Sequence, residues 1–163
     1  MRCFFILCVL YLSSLQATQA ETQQVASSSE TNLIQSAVDR ARSKSVTKLE
    51  ILYFPKEMET RVGVTPQLLE EWCFFRISIK DLQYSNVTMK NGLVSALEES
   101  AAKKANGNAD LRWGCIFYDT SGTRVLALYF NGSGTEGYVD STPISSNGKL
   151  VRFLEKRCAS LWK

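Results

Sequence analysis

The chain has 163 residues with 19 Lys and Arg, 16 Asp and Glu, a formal net charge of +3 and no histidine. A nearly balanced charge without a basic block argues against a nucleic-acid partner. The lack of histidine excludes Ser-His-Asp and Cys-His nucleophile activation, and zinc or copper sites that contain histidine.

Residues 1–20 have the order of a secretory signal peptide. Arg2 precedes the apolar run Cys3–Leu15, and Thr18-Gln19-Ala20 supplies small or tolerated residues for cleavage. The alternative is an uncleaved anchor, but a spanning helix needs about 20 predominantly apolar residues and this run is shorter. We therefore expect a secreted or periplasmic protein, with no membrane association after the leader is removed.

The remaining chain is expected to contain a disordered lead-in and one domain. Residues 21–30 are polar and rich in Ser and Gln, a composition typical of disorder. Residues 31–163 mix apolar and polar positions throughout and predict a single folded domain.

The first half of this domain predicts two helices and two strands. Apolar spacing predicts a helix over 32–43, capped by Thr31, and alternation predicts strands over 47–54 and 73–80. Thr65-Pro66 combines a capping hydroxyl with a proline at the first helical position, so it predicts a short helix over 66–72.

The second half predicts a polar loop over 82–90, a helix over 93–104, a β-hairpin, a short strand over 137–140 ended by Pro143, and a helix over 150–161. The hairpin joins residues 111–118 and 123–130 through the turn Asp119–Gly122. Because the best-defined strand pair is antiparallel, we expect an α+β fold. Its mainly antiparallel, twisted sheet would have four or five strands, with N- and C-terminal helices packed on it.

Cys73, Cys115 and Cys158 remain after leader cleavage. An odd number of cysteines in an oxidising compartment indicates one disulfide and one free thiol, or no pairing. Cys115 lies in the middle of a predicted strand, which favours a buried free thiol and a Cys73–Cys158 disulfide. The three residues lack CxxC spacing, so we expect no metal site.

Aromatic residues are concentrated on the hairpin and the strand that follows it. Ile116 and Tyr118 share one face of the sheet, whereas Trp113 and Phe117 share the other. Only one face can lie under the terminal helices, so the second is either a partner site or is covered by another helical layer. The candidate binding residues are Trp113, Tyr118, Tyr129 and Tyr138.

Two further patterns lie in predicted loops. The Gly-rich run Gly132–Gly137 lacks the lysine that a phosphate-binding P-loop needs, so it predicts a flexible connection between strands. Asn86 and Asn131 each begin an Asn-x-Ser/Thr pattern and are candidate glycosylation acceptors in an exported protein.

These observations favour a secreted or periplasmic non-catalytic binding protein, of the inhibitor or accessory type. It would use the aromatic sheet face or the Gly-rich loop to bind a protein or glycan outside the cytosol, without a cofactor. One alternative is a carboxylate-dependent polysaccharide hydrolase with two carboxylates about 5–10 Å apart. Adjacent Glu70 and Glu71 point apart on a helix and do not form such a pair. Another alternative is a carrier with a closed apolar cavity.

Overall fold

A computed structural model describes residues 32–43, 46–80 and 87–158 of the chain. These residues all lie in one compact unit, Asn32–Lys163. Their elements, in chain order, are α1 (Leu33–Ser43), β1 (Lys48–Tyr53), α2 (Pro66–Trp72), β2 (Phe75–Ile79), α3 (Val87–Glu98), β3 (Ala102–Lys104), β4 (Leu111–Tyr118), β5 (Arg124–Asn131), β6 (Glu136–Val139), β7 (Thr142–Ser146) and α4 (Lys149–Cys158).

The strands form one open antiparallel sheet in the order β2-β1-β4-β5-β6-β7-β3. The α+β class is therefore confirmed, but the described residues form a sheet of seven strands rather than the expected four or five. Its centre is the predicted hairpin of β4 and β5, in which Cys115 lies opposite Leu128. Gly122 takes the left-handed conformation in the turn, at φ 79°, which glycine adopts without a steric penalty.

One face of the sheet packs under α1, α3 and α4. The side chains of these helices that point inward are apolar and buried, and they meet buried residues from alternate positions of the strands. Trp113, Cys115 and Phe117 are the β4 residues in this core. The larger core therefore lies between the sheet and three helices.

The opposite face is covered only in part, by α2 and the connection that precedes it. Leu69 of α2 packs with Leu52, Ile116 and Tyr129 in a second, smaller core. Thr65 Oγ1 accepts a hydrogen bond from the Leu68 N–H at 3.3 Å, which caps the start of α2 as the sequence predicts.

Buried Arg112 of β4 fixes the connection that leads into α2. Its guanidinium donates to the carbonyls of Pro55 and Met58 at 3.0 and 2.9 Å, and pairs with Asp110. The other oxygen of Asp110 accepts from the Val64 N–H at 2.9 Å. Both ends of the connection are thus held by Arg112 of β4 and by Asp110, which directly precedes that strand.

Two parts of the predicted element order are wrong. The helix predicted over 93–104 is α3 followed by β3, and α3 begins inside the predicted loop. The strand β7 was not predicted, because Pro143 was expected to end the preceding strand. Pro143 instead lies inside β7 opposite Tyr138, and its carbonyl accepts from the Ala105 N–H at 3.0 Å.

The described cysteines all carry free thiols, so the structure does not support the Cys73–Cys158 bridge. The physical reason is that Cys73 packs on the α2 side of the sheet and Cys158 packs under the helices on the other side. Cys115 is fully buried, and burial raises the pKa of its thiol.

Candidate binding cleft

Three of the four aromatic residues singled out in the sequence lie on the α2 face of the sheet. Tyr118, Tyr129 and Tyr138 all contribute to the smaller core, and Tyr129 lies directly opposite Tyr138 on the neighbouring strand. Trp113 lies on the opposite face, where it is only 2% exposed and its ring centroid is 4.4 Å from that of Tyr53. Trp113 is therefore a core residue that does not reach this surface.

An open cleft of about 960 Å³ separates α2 from strands β5 and β6. Its α2 wall includes Thr65, Gln67 and Glu70, and the side of the sheet supplies Arg124, Tyr129, Tyr138 and Asp140. Tyr138 lies directly opposite Tyr129 on the neighbouring strand, and Arg124 lies at the start of β5, where the pairing with β4 shifts register between Phe117 and Tyr118.

A hydrogen-bonded triad of Glu70, Arg124 and Tyr129 forms the floor of the cleft. The Arg124 guanidinium donates to Tyr129 Oη at 2.7 Å and to Glu70 Oε1 at 2.9 Å, and Tyr129 donates to the same carboxylate oxygen. Burial raises the pKa of Tyr129, and its hydrogen bond to Glu70 adds to the increase. The phenol is therefore a neutral donor at physiological pH, and each group of the triad is held by the other two.

Asp140 closes the far side of the cleft. It has φ 54°, a left-handed conformation that Asp tolerates better than most residues. Its Oδ1 accepts from the Ala127 N–H at 2.9 Å, and its own N–H donates to the Ala127 carbonyl at 2.7 Å. This reciprocal pair fixes the orientation of the carboxylate.

A second charged cluster lies beside the cleft on the same face of the sheet. Glu50, which is buried, pairs with Lys48 at 2.7 Å and Arg76 at 3.0 Å, and accepts from Tyr118 Oη at 3.1 Å. Arg76 also donates to the backbone carbonyl of Glu70, which connects this cluster to α2. The triad and this cluster therefore form one continuous set of contacts through Glu70.

Glu50 predicts a dependence of stability on pH. Burial alone raises the pKa of Glu50, but hydrogen bonds from Lys48 and Tyr118 and the charges of Lys48 and Arg76 outweigh it, so the net pKa lies below its ordinary value. The stability it contributes is complete above the unfolded-state pKa of about 4.3 and is lost as the pH falls through the folded-state pKa. The free energy of unfolding, measured with urea between pH 7 and pH 3, is therefore expected to decrease in acid.

Glu50→Gln removes the titrating group. It is expected to lower the free energy of unfolding at pH 7 by about 1–3 kcal/mol and to flatten the decrease in acid. The lower end of that range is expected, because Lys48 and Arg76 are part-exposed and water can solvate them. Glu136→Gln, at an exposed position of β6, is the matched control. An equal acid dependence in wild type and Glu50→Gln would contradict the assignment.

Two aromatic side chains lie exposed where α2 passes into β2. Trp72 is 53% exposed and Phe74 is 57% exposed. The sequence analysis did not single them out. Phe74 alternates in step with the polar residues Arg76 and Ser78, and an aromatic residue at such a position indicates an exposed binding surface. The contact between Glu70 and Arg124 was also not predicted. These two residues are far apart in the chain, so no local pattern indicates that they meet.

The Gly-rich run Gly132–Gly137 is tied into the fold. Asn131 Oδ1 accepts from the Thr135 N–H at 3.0 Å, and buried Gly134 packs so closely that an added Cβ would lie 2.6 Å from the Cβ of Val151. Asn131 is the last residue of β5. The other candidate glycosylation residue, Asn86, lies outside the described residues.

The lining of the cleft is chemically mixed. It combines aromatic rings, an arginine and carboxylates on one partly open surface, and no group of three or more Cys, Asp or Glu residues that could hold a metal occurs within the described ranges. In the same part of the chain, no helix is both long and apolar enough to cross a membrane.

The fold and the cleft define an α+β domain with a polar, aromatic groove on one side of an open sheet. The chain matches no family model, no curated protein and no solved structure.

Proposed function

We propose that this chain is a non-catalytic binding protein of the inhibitor or accessory type, and that its partner binds in the cleft between α2 and strands β5 and β6. The observation that carries the proposal is the triad of Glu70, Arg124 and Tyr129, in which fully buried Tyr129 holds the part-exposed side chains of Glu70 and Arg124 on the floor of an open cleft. Tyr, Trp and Arg are the residue types that contribute most to binding at protein interfaces. Because these side chains already hold one another in place, little of their conformational freedom is lost on binding.

The hydrogen bonds of the cleft favour binding over hydrolysis. Glu70, Glu71 and Asp140 line the cleft, so it contains the carboxylates that a polysaccharide hydrolase requires. However, one oxygen of Glu70 accepts from both Arg124 and Tyr129, and Asp140 is paired with the backbone of Ala127. Carboxylates held in this way orient neighbouring groups, whereas a general acid needs a proton and a free approach to the substrate.

The sheet face is a better binding surface than the Gly-rich loop. Gly134 is buried against Val151, and the side chain of Asn131 is used within the turn. The cleft, in contrast, is open, and the exposed rings of Trp72 and Phe74 lie at the end of the helix that forms its wall. A small-ligand carrier is also less well supported, because buried apolar side chains of the described residues pack together between the helices and the sheet.

The proposed place of action is outside the cytosol, as a secreted or periplasmic protein, with a protein or glycan as the partner. This part rests on residues 1–20, which lie outside the described residues, and on the Cys3–Leu15 run that resembles a leader in composition.

The proposal predicts that Arg124→Ala weakens partner binding by about tenfold or more, because a central arginine anchor is lost. Wild type and variant are immobilised and exposed to the secreted fraction of the source cells and, separately, to a glycan array. The retained species is identified, and its dissociation constant is then measured. Tyr138→Ala, on the same cleft, is expected to act in the same direction.

Lys103→Ala is the matched control, since Lys103 is an exposed cation on β3 at the far edge of the sheet. It is expected to bind like wild type. A partner held equally by wild type, Arg124→Ala and Tyr138→Ala would overturn the cleft as the binding site. Turnover of a polysaccharide that is lost in Glu70→Gln would instead support the hydrolase alternative.

A further inference from the structure

The two edge strands of the sheet differ in how well they are protected against pairing with another chain. Among the described strands, β3 forms one edge with three residues that include Lys103 and Lys104, and short edges with lysine resist pairing with other chains. In the part of the chain that the structure describes, β2 forms the other edge and has β1 as its single strand partner. It has five residues, Phe75–Ile79, and no proline. Its outer edge carries the backbone groups that can accept another strand.

The side chains of β2 alternate between a charged face and an apolar face. Arg76 and Ser78 are exposed on the α2 side, whereas Phe75, Ile77 and Ile79 point to the helical side and remain only half-buried. Ile77 and Ile79 contact the larger core from its margin. A strand added beside β2 would therefore gain hydrogen bonds and extend an apolar surface that stops at this edge.

We propose that two copies of this chain associate through β2, in antiparallel pairing about a two-fold axis at Ile77. In such a pair, the residue at the axis lies opposite the same residue of the partner. The choice of that residue therefore sets the register of all other cross-strand pairs. The interior positions of β2 offer three choices, which are Arg76, Ile77 and Ser78.

Charge selects among these registers. An axis at Arg76 places two arginines directly opposite each other, and an axis at Ser78 places Arg76 opposite the partner's Lys80. Like charges directly opposite in a sheet are destabilising. An axis at Ile77 places Arg76 opposite the partner's Ser78 and Phe74 opposite the partner's Lys80, so neither unfavourable pair forms.

The same register completes the apolar face of the edge. Ile77 meets the partner's Ile77, and Phe75 meets the partner's Ile79, in contacts that the two-fold axis repeats. The two Arg76 side chains become diagonal neighbours, but each is neutralised within its own copy by Glu50 at 3.0 Å. The interface is thus complementary to itself in shape and in charge.

The test uses Phe74→Lys, which places a lysine opposite the partner's Lys80 at both ends of the pair. Phe74 is exposed, so the folded chain accommodates the change. Sedimentation equilibrium over a range of protein concentrations is expected to give a monomer–dimer equilibrium for wild type. The dimer dissociation constant of Phe74→Lys is expected to be at least about fivefold higher.

Two further variants separate a change in the interface from a change in the monomer. Adding Lys80→Glu to Phe74→Lys restores an opposite-charge pair and is expected to recover the wild-type dissociation constant. Val62→Lys introduces the same lysine in place of an exposed apolar residue outside β2, at a position that is 59% exposed, and it is expected to dimerise like wild type. A wild-type chain that stays monomeric at every concentration would overturn the proposal. The proposal would also be overturned if Phe74→Lys left the dimer dissociation constant unchanged, or if adding Lys80→Glu did not restore the wild-type value.

Discussion

Gly137→Ala is expected to lower the free energy of unfolding by about 3 kcal/mol or more, at the upper end of the cost of adding atoms to a packed site. A Cβ at Gly137 would lie 1.8 Å from the carbonyl oxygen of Tyr129 and 2.9 Å from the Cα of Phe130. Both are backbone atoms of the adjacent strand β5. Moving them would disrupt the pairing of β5 and β6 and displace Tyr129 from the cleft floor.

Urea unfolding followed by circular dichroism measures this effect. Gly107→Ala is the matched control, because no heavy atom lies within 4 Å of the position of its added Cβ. That variant is expected to keep the stability of wild type within about 0.5 kcal/mol. Equal stabilities of Gly137→Ala and Gly107→Ala would show that strands β5 and β6 do not approach as closely as described.

Trp113→Ala is expected to lower the free energy of unfolding by about 3–5 kcal/mol, the usual cost of removing a buried aromatic ring. Trp113 is 2% exposed and packs between Tyr53 and the helical layer. The surrounding β4 and β5 are hydrogen-bonded strands, so the cavity left by the indole cannot close fully. The loss is expected in denaturant titrations in the absence of any partner.

Trp72→Ala provides the comparison for Trp113→Ala. Trp72 is 53% exposed, and its replacement is expected to change the stability by no more than about 0.5 kcal/mol. The pair of variants therefore separates a tryptophan of the core from one at the surface. Similar losses in both would contradict the burial of Trp113 and the exposure of Trp72.

Local patterns in the sequence were sufficient to predict the central elements of the fold. The hairpin of β4 and β5 was predictable because its turn residues and its alternating side chains are adjacent in the chain. The start of α2 was predictable for the same reason, since Thr65 and Pro66 act on the first turn of their own helix. Period-two alternation also placed Trp113 and Tyr118 on opposite faces correctly.

The elements that were missed depend on contacts between distant residues. The strand β3 is only three residues long and exists because Ala102–Lys104 pairs with β7, some forty residues later in the chain. Asn32 stabilises this arrangement by accepting from the Ala102 N–H at 3.0 Å. Nothing local in a lysine-containing segment that follows a helix indicates such a pairing, so the segment was predicted as a continuation of the helix.

The candidate cleft was predictable only in part. The tyrosines of the sheet face follow from strand alternation, whereas the partners of Tyr129 do not. Glu70 reaches Tyr129 because α2 is docked on the sheet, and that docking depends on the Arg112 contacts with the preceding connection. The spacing of residues in the sequence does not indicate where such a helix packs on the sheet.

The Arg112 contacts also have a kinetic consequence. Because Arg112 and Asp110 hold the connection before α2 at Pro55, Met58 and Val64, the wall of the cleft is anchored to the central sheet. A ligand of this cleft would then enter without an opening of the α2 wall, and the requirement to dock two specific surfaces in the right orientation would set its association rate. Differences in affinity among ligands of this cleft would consequently arise from how long each complex survives.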